Sequence, residues 1–206
     1  MDRFQPPAVG SAPWHYVLDT LGAKIVAAER GVDFRELKWR KEDIEAWPYR
    51  RDLWHLVDTN GFFTRLAWAC PVDGRYRLTD WWSERETTSR WGSLVQPDGY
   101  GRLEGPTGSR SFFLELDRDT EGSARLRAKL PGFARVATLE KRPDLVLFSF
   151  PDPKREAFAR KALYSPGMTL ATTTWDRMHA EPLGAVWLPL GTERRMSLLE
   201  LPVETS

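Results

Sequence analysis

An α/β domain built on a mixed sheet flanked by helices is the fold class that the sequence predicts. Three observations predict it. β-rich runs alternate with amphipathic stretches along the chain. The runs at 93–103 and 110–117 are joined by Glu104-Gly105-Pro106-Thr107-Gly108-Ser109, a hairpin signal. Breaks carrying Pro or Gly fall at 1–13, 71–75, 104–110, 151–154 and 164–168, where the chain must turn.

Composition bounds the answer. The chain has 206 residues, 30 Lys+Arg against 29 Asp+Glu, a net charge of +1 and 41% hydrophobic residues. That is one domain, or one plus a small appendage, with enough apolar surface for a core. A net charge near zero excludes a nucleic-acid binder that is basic over its whole surface, but not a local basic groove. No run approaches 18 apolar residues, so no membrane span is expected. Residues 1–13 lack the apolar stretch of a signal peptide and read as a flexible lead. The single Cys70 rules out a disulfide framework and a Cys-based zinc site, and the three His are scattered. Together these point to the cytoplasm. Ten Trp stand out as an excess over ordinary usage.

The elements follow in order. A short strand from His15 to Leu18 leads into a helix over 21–30, capped by Asp19 or Thr20 and ended by Gly31. Residues 35–51 are rich in Trp, Arg, Lys and Glu and are broken at Pro48. A longer helix spans 51–70. Its face is formed by Leu53, Leu56, Val57, Asn60, Phe63, Ala67 and Cys70 at three- and four-residue steps. Asn60 in that stripe is either a core amide holding a loop or an active-site or interface amide, while His55 falls on the opposite, exposed side. Three strands follow at 76–86, 93–103 and 110–117. A helix over 120–140 should kink or split at Pro131-Gly132. A strand at 145–150, a charged helix at 153–164, and strands at 169–174 and 185–188 complete the fold.

The chemistry lies in the three central strands. Residues two apart share a strand face. Phe113, Glu115 and Asp117 therefore point one way, and Phe112, Leu114 and Leu116 point into the core. Acids among aromatics are costly unless solvated, paired or bound to a cation. Asp98, between Pro97 and Gly99, lies in the second strand, and Glu84 and Glu86 share a face with Trp82 in the first. If the strands are adjacent, one face presents Asp98, Glu115 and Asp117 with Glu84 or Glu86 nearby. That is the oxygen-rich environment that Mg²⁺ or Mn²⁺ takes, and such ions activate water for phosphodiester hydrolysis. On the following helix Leu126, Leu130, Phe133 and Ala137 form the apolar stripe. Lys129 lies about 60° from its centre, at the edge, within reach of the sheet. It is either a snorkelling lysine or the cation of the cluster. Gly99-Tyr100-Gly101 has no lysine of a phosphate loop after it and reads as a turn or bulge. Neither a nucleophile elbow nor a His triad is present.

The segment WWSERETTSRWGSLVQPDGYGRLEGPTGSRSFFLELDRDTEGSARLRAKLPGFARV, with HLVDTNGFFTRLA upstream and DLVLFSF downstream, resembles the actinobacterial replication-relaxation family of plasmids and integrative elements. The likeness covers roughly Trp14 to Ala171 and is most specific from Trp91 to Phe133. It implies a core similar to the PD-(D/E)xK nuclease fold, here placed at 51–206. In that fold a hairpin sheet carries Asp on its second strand and Glu-x-Lys on its third. Carried over, Asp98 and Glu115 would be the metal ligands and Glu84 an upstream acid. Lys129 would be a lysine moved onto the next helix, there to polarise the scissile phosphate or the attacking water. Asp117 stands where that motif has its lysine, which fits either an altered site or a degenerate one. The resemblance also implies a winged helix at the front. Residues 14–50 match only its tail and a linker, as in a short member, a mis-started reading frame or a fragment.

Two classes of function follow. One is a Mg²⁺- or Mn²⁺-dependent enzyme that nicks or cleaves DNA. The other is a non-catalytic DNA-binding or protein-interaction factor on the same scaffold. Its basic elements would be Lys38, Arg40 and Lys41, then Arg50 and Arg51, and the helix with Lys154, Arg155, Arg160 and Lys161. Its partners would be DNA, a relaxase or replication initiator, or a second copy of the chain, met by exposed Trp such as Trp14 and Trp39. The +1 would then be the sum of an acidic sheet face and basic flanking helices.

Overall fold

A computed structural model describes residues 2–6, 13–50, 52–118, 122–140, 145–164 and 167–203. It divides into two units, residues 1–56 and 57–206. In the first, β1 (Asp2–Phe4) pairs antiparallel with β2 (His15–Val17). Residues 2–4, expected in a flexible lead, are thus a strand. Helix α1 (Thr20–Glu29) is capped by Asp19, whose carboxylate accepts from the Gly22 N–H at 2.7 Å. Gly31 takes the left-handed conformation that ends it. Two short 3₁₀ turns (Phe34–Leu37 and Trp47–Tyr49) and α2 (Lys41–Ala46) complete this unit's regular structure among the described residues. Helix α3 (Leu53–Asp73) begins here and continues into the second unit.

The second unit holds a six-stranded sheet. In chain order its elements are β3 (Arg77–Ser83), α4 (Glu84–Trp91), β4 (Gly99–Gly105), β5 (Gly108–Leu116), α5 (Ser123–Glu140), β6 (Leu145–Phe150), α6 (Pro153–Arg160), β7 (Thr169–Thr174), α7 (Trp175–Ala180) and β8 (Leu188–Pro189). The strands lie side by side in sequence order, β3 to β8. β3-β4-β5 is an antiparallel meander, β5-β6-β7 are parallel, and β8 returns antiparallel. The mixed α/β class that the sequence predicts is the class observed.

Strand alternation sorts the side chains into two cores. Phe112, Leu114 and Leu116 of β5 face Phe62, Phe63, Leu66 and Cys70 of α3 and Met178 of α7. Phe113 faces the other way, with Trp91 of α4, Leu126, Leu130 and Phe133 of α5, and Ala159 of α6. The glycines of Gly99-Tyr100-Gly101 sit in β4, within a strand as expected. A Cβ at Gly99 would lie 2.6 Å from the Phe63 ring and one at Gly101 2.5 Å from the Phe112 ring, so both stay bare for aromatics to lie on the strand.

Four expectations change. The strand at 76–86 stops at Ser83, because Ser83 and Glu86 form a capping box that starts α4. Glu84 and Glu86 are therefore helical and share no strand face with Trp82. Pro131 does not split α5, which runs unbroken from Ser123 to Glu140. Next to it, a Cβ at Gly132 would meet the Leu94 carbonyl at 2.3 Å, so the helix presses on the loop before β4. The buried face of α3 in this unit runs through Thr59, Phe62, Phe63, Leu66 and Cys70, with Asn60 half-buried and Ala67 exposed. The large Phe62 and Leu66 displace the smaller and more polar residues of the predicted stripe. His55 is half-buried.

Candidate functional site

The carboxyl ends of β3, β5 and β6 and the start of β4 come together at one end of the sheet. Register places Asp98 opposite Glu115, since Gly99 pairs with Leu114 on antiparallel strands. Asp98 precedes β4 rather than lying inside a strand. Its loop is held by the buried Thr87 of α4, whose hydroxyl is shared between the Pro97 carbonyl at 2.8 Å and the Glu84 carbonyl at 2.9 Å. Asp98 Oδ2 accepts the Leu116 N–H at 2.7 Å. That amide points past the end of β4, so the carboxylate continues the ladder where the partner strand is missing.

Glu115 is buried, with 3% of its side chain exposed, and its Oε2 accepts from Lys129 Nζ at 2.6 Å. The reach of Lys129 from the edge of the α5 stripe to the sheet is therefore realised. The Lys129 side chain is 26% exposed. Asp117 lies on the same face but is held by another cation. Arg155 Nε of α6 donates to Asp117 Oδ2 at 2.7 Å, a second guanidinium nitrogen contacts the same oxygen, and both side chains are buried. The Asp117 N–H donates to the Ser149 carbonyl of β6 at 2.9 Å.

The structure brings Asp98, Glu115 and Lys129 to one end of the sheet. It sets Asp117 apart in its own pair, and places Glu84 on the exposed first turn of α4. Among the described residues no group of three His, Cys, Asp or Glu is placed to hold a metal ion. The donors present are two carboxylates and a lysine. Of these only the two carboxylates could ligate a Mg²⁺ or Mn²⁺ ion, which would then need water for its other ligands; the lysine would stand beside it as a cation.

The basic residues divide sharply. Arg155 is committed to Asp117. Arg160 donates to the Leu188 carbonyl at 2.7 Å, the Pro189 carbonyl at 2.9 Å and the Thr172 hydroxyl at 2.9 Å, so it binds the closing strand rather than facing outward. Its burial pushes its pKa down. Lys154 and Lys161 remain exposed. In the first unit Lys38, Arg40, Lys41 and Arg50 are exposed. Lys41 pairs with Glu45 at 3.4 Å, and Arg50 Nε donates to Asp52 at 2.9 Å. Arg51 lies outside the described residues. Trp14 is exposed and Trp39 half-buried, and the far more exposed Trp68 was not singled out from the sequence.

Sequence reasoning also missed Thr87, Arg118 and Glu156. Arg118 pairs with Asp58 of α3 and lies 5.6 Å from the Trp175 ring. Glu156 accepts from the Thr172 hydroxyl and from Arg195, both at 2.7 Å. Only Thr87 had a readable signal, the Ser-x-x-Glu capping box that begins its helix.

The family model for replication-relaxation matches residues 1–145 of the 206. No curated protein and no solved structure matches the chain.

Proposed function

The protein belongs to the replication-relaxation family, and on that premise we propose that it acts on DNA in the replication or transfer of a plasmid or mobile element, nicking or cleaving it with a divalent metal ion. The observation that carries this reading is the Glu115–Lys129 pair at 2.6 Å, opposite Asp98 at the carboxyl end of β5. Asp98 and Glu115 would hold Mg²⁺ or Mn²⁺, which when bound supplies positive charge at the phosphate and acidifies water. Lys129 neutralises Glu115 in the buried site. Its partly exposed side chain is placed to meet a phosphate oxygen arriving from outside. Thr87 fixes the Pro97 carbonyl and thereby the loop that carries Asp98.

Incubation of purified protein with supercoiled, linear and single-stranded DNA in Mn²⁺ tests the proposal. Cleavage lost in Asp98→Asn and Glu115→Gln supports it. Intact DNA in all three forms overturns it.

A second reading rests on a different observation. Arg155 occupies Asp117, at the position where a lysine would complete Glu-x-Lys. This favours a non-catalytic accessory factor that binds DNA, a relaxase, a replication initiator or its own second copy on the same scaffold. Salt-sensitive DNA binding without turnover distinguishes it.

A further inference from the structure

On the sheet face away from Glu115, α3 and α7 border a cleft of about 350 Å³ that the catalytic proposal does not use. This lies within the size range of small-ligand pockets, about 300–1,000 Å³. Its lining includes Arg65, Trp68 and Ala69 of α3, His179 of α7, and Pro182. Among the described lining residues none is acidic.

We propose that this cleft is a second nucleic-acid subsite that takes one unpaired base, stacked on Trp68, with the adjoining phosphate against Arg65. The proposal rests on the reading that the protein acts on DNA.

Trp68 is 77% exposed, an indole held out on a helix whose neighbouring face is fully buried. Arg65 lies three residues before it, on the same helical face. An aromatic plane beside a guanidinium, with no carboxylate in the lining, suits a flat, anionic ligand. Two further observations point inward to a ligand. His179 Nε2 is buried and makes no hydrogen bond among the described residues. Burial first, and the Arg65 charge second, lower its pKa, against the opposing effects of the Asp58 and Asp176 carboxylates and the Asp58 backbone. The imidazole therefore stays neutral, with polar capacity left to offer. Gly61 is the second. It sits in the interior of α3, where alanine would make a better helix. A Cβ there would touch nothing within 4 Å except His179 Nε2, at 3.9 Å. No packing clash requires this glycine, and a methyl added there would lie against Nε2.

Fluorescence anisotropy in EDTA, with a labelled single-stranded oligothymidylate and an abasic oligomer of equal length, tests the proposal without any catalytic step. Trp68→Ala should weaken oligothymidylate binding about tenfold and Trp68→Phe by about twofold or less, while abasic binding stays unchanged. Gly61→Ala should raise the melting temperature and still weaken oligothymidylate binding, which a folding defect cannot imitate. Unchanged affinity in Trp68→Ala, or equal loss on the abasic oligomer, overturns the subsite while leaving the DNA reading intact. Failure of the unmodified protein to bind either oligomer overturns both. A change from dimer to monomer by light scattering in Trp68→Ala, with DNA binding unaltered, assigns the face to self-association and also overturns the subsite.

Discussion

Glu115, in β5, and Asp117, one residue past its end, are two residues apart, yet they sit in different surroundings. Asp117 and Arg155 are sealed, with 1% and 9% of their side chains exposed. Glu115 is as deeply placed, but its partner Lys129 keeps a quarter of its surface in water. The first pair clamps α6 to β5, and its guanidinium has no route to an outside ligand. The second holds an acid inside and a cation at the boundary. A buried ion pair is weak evidence for net stability, since desolvation offsets attraction. What separates the two is access: one is closed off within the fold, and the other has a lysine side chain that is partly exposed.

The largest expected effect breaks the sealed pair. Arg155→Met leaves Asp117 charged and buried, and should destabilise the protein by about 3–5 kcal/mol in urea titration. The double variant Asp117→Leu/Arg155→Met should recover most of that loss. Lys129→Met should cost less, about 2 kcal/mol, because the site is open to water, and should remove DNA cleavage in Mn²⁺. If Lys129→Met costs more than Arg155→Met, the distinction between the pairs collapses. Asp98→Asn keeps an oxygen for the Leu116 N–H and should change stability by less than about 1 kcal/mol, whereas Asp98→Ala loses that acceptor at a cost of about 1–2 kcal/mol. Loss of cleavage in the asparagine variant, at near-normal stability, would separate the chemistry of Asp98 from its place in the sheet.

The smallest effect concerns pH. Burial keeps His179 neutral, with its pKa below the usual 6.5. Protonation therefore favours the unfolded chain. Stability present above pH 6.5 is lost as pH falls from there through the folded value. Denaturation midpoints at pH 7.5 and 5.5 should differ less in His179→Gln than in the unmodified protein.

The sequence made some of this legible for physical reasons. β6 and β7 match their expected bounds because short, fully buried runs are enclosed by turn residues. Lys129 was placed correctly because Leu126, Leu130 and Phe133 define the axis of α5 so clearly. The partner of Arg155 was not legible, since it depends on α6 crossing to a strand 38 residues earlier in the chain. The same is true of Arg160, which reads as a solvated helix charge until the closing strand lies against it. Three acids and three bases are paired inside the second unit, as Glu115–Lys129, Asp117–Arg155 and Glu156–Arg195.

The family match ends at Leu145, where β6 begins, but the sheet does not end there. β5 is flanked on one side by β4 and on the other by β6, and the Asp117 amide donates to the Ser149 carbonyl. An expression fragment trimmed to the recognisable portion would carry a long apolar strand with one flank stripped of its neighbour, together with an α5 whose inner surface has lost Val146, Phe148 and Phe150. Such a strand recruits other chains. Insoluble product from a trimmed clone would thus reflect the cut, and say nothing against the activity of the whole.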